Sequence, residues 1–114
     1  MKKEILLQTT STWDKKGYEK VCINNPEVTV LSIKIGVGEA LEMHKHDLVN
    51  VAYVKSGTLT VTTDKNEQIK VPEGHALPEI IGTYHYGKNE SDVPVELIVF
   101  YIGEKGTPLS VSAK

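Results

Sequence analysis

Three of the four histidines in this sequence are spaced so that they can meet at one point. His44 and His46 alternate around Lys45, so in an extended strand both imidazoles leave one face while Lys45 leaves the other. Their Cα atoms then lie roughly 6–7 Å apart, near enough for two rings to converge on one ion. His85, between Tyr84 and Tyr86, stands much later in the chain and can complete the site from a neighbouring strand. Three imidazoles suit a divalent transition metal of the Zn, Fe, Ni, Mn or Cu kind, and the donor set alone does not choose among them. The same residues can instead be hydrogen-bonded polar groups of a core, or hold an organic ligand without metal. No nucleophile is placed beside these histidines by spacing, so neither a Ser-His-Asp nor a Cys-His arrangement is indicated. Glu39 and Glu42 fall in a turn-to-strand stretch and are expected at the surface rather than as a catalytic pair.

Composition narrows the partners. The chain has 114 residues, the length of one domain able to bury a core, and it is read as a single domain over 1–114. Its formal net charge is −2, and all 13 basic residues are lysines. Without arginine the planar fork that grips phosphate and reads guanine is missing, and the scattered lysines form no basic stripe. Nucleic acid is therefore not an expected partner. Cys22 is the sole cysteine, so no intrachain disulfide is possible, and between Val21 and Ile23 it reads as a small buried apolar residue. Ile5-Leu6-Leu7 is too short for a secretory core, and Leu97–Ile102 is too short to span a bilayer. A cytoplasmic location with no membrane partner is expected.

Short β-type runs separated by turn residues fill the chain. Strands are predicted at 4–7, 20–23, 28–35, 41–46, 49–55, 58–63, 68–71, 76–80, 83–86 and 95–102, with one helical turn around 11–17. The 58–63 and 68–71 runs flank the polar loop Asp64-Lys65-Asn66-Glu67, which predicts a hairpin. Strand parity places Asn50, Ala52 and Val54 on the face of His44 and His46, and Val49, Val51 and Tyr53 on the other. Both faces are substantially apolar, so the second is expected against another layer or a second subunit. Many short strands at this spacing predict an all-β sandwich or barrel.

The motifs resemble those of the cupins, jelly-roll (double-stranded β-helix) barrels, in particular the small single-domain bacterial kind. The first family motif, Gly-x5-His-x-His followed by Glu and Gly, reads here as Gly38, His44, His46, Asn50 and Gly57, with Asn50 where the family has Glu. The second reads as Pro72, Gly74, Gly82, His85 and Asn89. The resemblance implies His44, His46 and His85 as metal ligands, with Asn50 in the carboxylate's place as a weak fourth ligand or an orienting group. A neutral amide one methylene shorter than Glu leaves more positive charge on the ion, which favours an anionic ligand in an open position. Asn50→Glu is accordingly expected to tighten metal retention.

Two functions follow as expectations: a metal-dependent enzyme acting on a small organic molecule, or a non-catalytic barrel that binds or senses a metal or small ligand. Oxygenation, isomerisation, lyase chemistry and decarboxylation all stay open. The resemblance also implies a homodimer. Among other residues, His75 is expected at the surface, while Glu79 is expected to be solvated or structurally paired, with a carboxylate at the barrel mouth as the alternative. Tyr84 and Tyr86 are expected to face away from His85, Ile98 and Phe100 are candidates for lining the cavity, and Trp13 is expected to cover a barrel end or a dimer contact.

Overall fold

Strand-forming runs pair into two antiparallel sheets in the computed structural model, which describes residues 1–114. The strands are β1 (Pro26–Ile35), β2 (His44–Lys45), β3 (Val49–Ser56), β4 (Thr58–Thr63), β5 (Gln68–Pro72), β6 (Ala76–Pro78), β7 (His85–Asn89), β8 (Val95–Glu104) and β9 (Val111–Ser112). One sheet has the order β1-β8-β3-β6 and the other β5-β4-β7-β2-β9. Consecutive strands therefore alternate between sheets in places, as β2 and β3 do across Asp47–Leu48, giving the jelly-roll arrangement expected. No helix is long and apolar enough to cross a membrane.

Alternation along β3 and β8 builds the core. Asn50, Ala52 and Val54 of β3 are buried, as are Val95, Leu97, Val99 and Tyr101 of β8. All of these except Asn50 meet Leu59 and Val61 of β4, Val71 of β5 and Leu77 of β6 in one apolar cluster. Withdrawing each large aliphatic side chain from water contributes about 1.5–3 kcal/mol. Phe100, a candidate cavity residue, is instead exposed on the outer face, and Ile98 shares that outward parity. The phase of β8 is set by Val95, Leu97 and Val99, which leaves Tyr101 inside. At the β3–β4 corner Gly57 has φ 79°, and a Cβ there would meet Pro94 O at 2.8 Å and Val95 Cγ2 at 2.9 Å. Only glycine allows that close crossing.

The expected hairpin is present, with Leu59 opposite Val71 and Val61 opposite Ile69. The N-terminal expectations are not met. Residues 4–7 and 20–23 form no strand, and Cys22 is exposed rather than buried. The segment around 11–17 is a turn, not a helix: Ser11 and Gly17 form an isolated bridge, and Lys15 has φ 68°. The 41–46 run is regular only at β2, the 83–86 run is shifted to β7, and β9 is an additional short strand pairing with β2.

Candidate metal centre

The register of β2 and β7 brings the first histidine to the last: His44 is the direct cross-strand partner of His85. His46 lies two residues beyond His44 on the same face. The three rings surround one point, with centroids 4.9 Å apart for His44 and His46, 4.7 Å for His44 and His85, and 5.0 Å for His46 and His85. One nitrogen from each lies within 4.8 Å of the others. His46 and His85 are buried, and His44 is half-buried at the rim.

Backbone carbonyls determine what those nitrogens offer. The Nδ1 of His44 lies 2.7 Å from Glu42 O, that of His46 2.8 Å from Leu109 O, and that of His85 2.8 Å from Thr83 O. A carbonyl can only accept, so each Nδ1 carries the proton and each Nε2 is left with a free lone pair. The same device orients metal-bound imidazoles generally. The Nε2 of His85 is buried and has no hydrogen-bond partner, and Asn50 Oδ1, in the wall of the same cavity, also lacks one. A buried orphaned acceptor costs roughly 1–3 kcal/mol. Three convergent lone pairs with that cost attached fit a metal ion.

Burial disfavours the charged form of His46 and His85. Burial lowers the His85 imidazole to about 4, with the Thr83 carbonyl pulling weakly the other way. Burial also lowers His46, opposed by the Leu109 carbonyl and the Glu79 carboxylate. In the metal-free chain the unfolded state therefore takes up a proton on residue 85 first. Stability is full above the ordinary histidine value of 6.5 and declines as pH falls from 6.5 towards 4. Glu79 works in the opposite direction, since burial raises its carboxyl and protonation favours the folded state. The expected result is a lower melting temperature at pH 5 than at pH 7.5, with a smaller difference in His85→Asn; an equal difference would remove His85 as the cause.

Asn50 is fully buried beside the triad, and its Nδ2 donates to Leu48 O at 3.0 Å. Tyr84 and Tyr86 alternate with the buried His85 as expected, and His75 is exposed. Glu79 is not solvated but paired, and it lines the cavity. It is 7% exposed, and its Oε1 lies 3.8 Å from His85 Nε2. That oxygen accepts from Trp13 Nε1 at 3.1 Å and from Ile80 N at 3.0 Å. Trp13 thus covers a barrel end, its backbone N–H bound to Pro78 O at 3.0 Å. Tyr101 was not foreseen at all: its ring centroid is 6.0 Å from that of His46, and burial raises its phenol. Alternation along β8, phased from Val95 and Leu97, would have found it.

Glu79 and Tyr101 share with the histidines and Asn50 a small cavity of about 40 Å³, otherwise walled by Ile33, Leu41, Ala52, Leu59 and other apolar groups. A larger groove of about 530 Å³, between Thr12–Ile23 and the end of β8, touches none of the three histidines.

A two-sheet jelly roll in which three histidines converge defines a histidine-lined barrel. The chain belongs to the Cupin domain family, whose model matches residues 31–101. Its structure is similar to DMSP lyase DddQ from Ruegeria pomeroyi, with a TM-score of 0.65 and 15% identity over 75% of this chain and 43% of the lyase. It is also similar to the polyketide cyclase RemF from Streptomyces resistomycificus, with a TM-score of 0.64 and 15% identity over 79% of this chain and 62% of the cyclase. A conserved protein with a double-stranded β-helix domain from Klebsiella pneumoniae gives a TM-score of 0.63 at 15% identity, over 80% of this chain and 87% of that one. The chain thus spans less than half of the lyase and under two-thirds of the cyclase, and identities this low speak for the fold alone. No curated protein matches the sequence.

Proposed function

We propose that residues 1–114 act as one metal-dependent cupin domain, with His44, His46 and His85 holding a divalent transition metal and a small organic molecule as substrate. One observation carries this reading: three imidazoles fixed by backbone carbonyls so that their Nε2 lone pairs face each other, one of them orphaned. A bound ion would supply Lewis acidity and open positions for a substrate oxygen or dioxygen. The chain's own residues supply the rest. Apolar walls from Leu59, Val61, Leu97 and Val99 exclude water, and Asn50 offers an amide oxygen to the site. Glu79 and Tyr101 are the groups able to exchange a proton with a bound molecule. The neighbours named as a lyase and a cyclase support small-molecule chemistry on this barrel, but leave lyase, isomerase and oxygenase reactions as alternatives.

The cavity favours one second reading. About 40 Å³ holds little more than an ion and a water or two, so a barrel that binds or senses a metal without turnover is also compatible with it. A thermal-shift screen separates the two. Under the enzyme reading, small carboxylates and enediols raise the melting temperature of the metal-loaded protein by several degrees and leave the metal-free protein unchanged, and a hit is converted to product. Equal shifts in both forms would contradict metal-dependent binding, and a metal-dependent shift without product would favour the sensor.

A homodimer belongs to the same proposal, in a cytoplasmic setting. On the outer face of the β1-β8-β3 sheet Val30, Phe100 and Val51 stand in one cross-strand row, and Val28, Ile102 and Val49 in another. Val28, Val30 and Phe100 are exposed, forming an apolar patch suited to a second copy. Light scattering at micromolar concentration is expected to give twice the chain mass, with Phe100→Lys giving a monomer; a wild-type monomer would contradict it.

A further inference from the structure

The cavity that holds the three imidazoles is short of negative charge. Neutral histidines and the neutral Asn50 leave the full charge of a divalent ion uncompensated among Leu59, Val61, Leu97 and Val99, a costly arrangement. One carboxylate lines that cavity, and it is Glu79.

Its position follows from the sheet register. Val51 pairs with Pro78 in the β3–β6 ladder, and the next step of that ladder is the hydrogen bond from Glu79 N to Asn50 O at 3.0 Å. Residues 50 and 79 are therefore direct cross-strand neighbours, and both are buried. Side chains in such a pair project to the same face, with Cβ atoms roughly 4.5–5.5 Å apart. A carboxylate that enters from position 79 can thus serve the same point as one that enters from position 50.

We infer that Glu79 supplies to the metal site the carboxylate that position 50 lacks, and that Trp13 is the positioning residue that holds it there. This rests on the metal-dependent reading above. The two hydrogen bonds that fix the Glu79 side chain, from Trp13 Nε1 and Ile80 N, both end on Oε1, the oxygen that lies 3.8 Å from His85 Nε2. Both donors stabilise the carboxylate as an anion and fix its direction. Trp13 reaches it from the N-terminal turn, across 66 positions of sequence. That turn is itself closed by the Ser11–Gly17 bridge and tied down by Trp13 N to Pro78 O. The N-terminal turn thereby becomes part of the site, although it lies outside the matched family region of 31–101.

The test is metal affinity, measured by competition with a chromophoric chelator for Zn(II) and Co(II), beside the visible spectrum of the Co(II) protein. Four chains are compared: wild type, Glu79→Gln, the double variant Asn50→Glu/Glu79→Gln, and Trp13→Phe. Gln keeps an acceptor for Trp13 and Ile80 while removing the charge. Glu79→Gln is expected to bind at least about tenfold more weakly, with an altered Co(II) spectrum. The double variant, which returns the charge from the neighbouring strand, is expected to recover to within about threefold of wild type. Trp13→Phe, which keeps the carboxylate but frees it, is expected to lose affinity by a smaller factor than Glu79→Gln. Trp13 is the only tryptophan, so its fluorescence should respond to Co(II) in wild type. Wild-type affinity and spectrum in Glu79→Gln would overturn the inference while leaving the three-histidine site intact. A double variant no better than Glu79→Gln would overturn it as well, and a folded double variant beside a misfolded single one would support it. Absence of metal binding by wild type would overturn the metal-dependent reading itself.

Discussion

Alanine at position 85 is expected to take bound transition metal from about one ion per chain to background. His85 is the imidazole whose Nε2 is both buried and unpartnered, and it comes from a different strand and loop than the His44–His46 pair. Removing it leaves two rings, one of them only half-buried, with Glu79, Asn50 and Tyr101 as the other polar groups of the cavity. Changes to groups that merely orient a ligand typically cost 10–100-fold in metal affinity, so loss of a ligand is expected to cost more than about 100-fold. The backbone ladder of β7 does not depend on this side chain, since residue 85 pairs with His44 on one side and Thr63 on the other through main-chain groups. The variant should therefore keep the circular dichroism of the parent while losing its metal. Retention of metal at parental affinity would mean that the ion is held elsewhere.

The largest effect on stability is expected from Asn89→Ala. Asn89 is 0% exposed at the end of β7, and its side chain makes four hydrogen bonds. Nδ2 donates to Ile35 O at 3.0 Å and to Val93 O at 2.8 Å. Oδ1 accepts from Ser91 N at 2.9 Å and from Ser91 Oγ at 2.6 Å. One amide thus ties the end of β1 to the turn that leads into β8. Alanine leaves the buried Ile35 carbonyl without this donor and loosens the turn. At about 1 kcal/mol for each bond, the loss is about 3–4 kcal/mol, a large share of the 5–15 kcal/mol that holds a typical domain together. The melting temperature should fall by roughly 10–20 °C, in metal-free and metal-loaded protein alike. A fall of under about 3 °C would contradict the role of this network. Asn89 is therefore the structural member of the second histidine motif, and His85 its chemical one.

What the sequence made legible follows from how locally each feature is encoded. The β4–β5 hairpin was readable because alternation runs to both ends of a short polar loop, and it formed as expected. The inward set of Asn50, Ala52 and Val54 was readable from strict period two, and so was the histidine face. Residues 4–7 and 20–23 have the same apolar character, yet form no strand: they pair with no edge, and Ile5, Leu6 and Val21 are exposed. Strand propensity describes a fit to a neighbour, and the neighbour is not written in the run itself. β2 is only two residues long, although it carries His44.

Glu79 was legible only in part. Its context, Ala76-Leu77-Pro78-Glu79-Ile80-Ile81, is a lone charge inside an apolar run, and buried carboxylates are rare unless something holds them. That signal was present, but the partners were not visible: Trp13 lies 66 positions away and the link to Asn50 is a ladder bond between strands. Val95, Leu97 and Val99 set the parity of β8 that turns Tyr101 inward and Phe100 outward. The histidine centre was thus legible from spacing, whereas the groups that complete it depend on register.

Metal content of untagged protein, measured by inductively coupled plasma mass spectrometry after purification without chelators, tests the central claim most directly. About one Zn, Fe, Ni, Mn or Cu ion per chain is the predicted result. A chain that carries no stoichiometric metal as purified, and takes up none when offered each of these ions in turn, would contradict it.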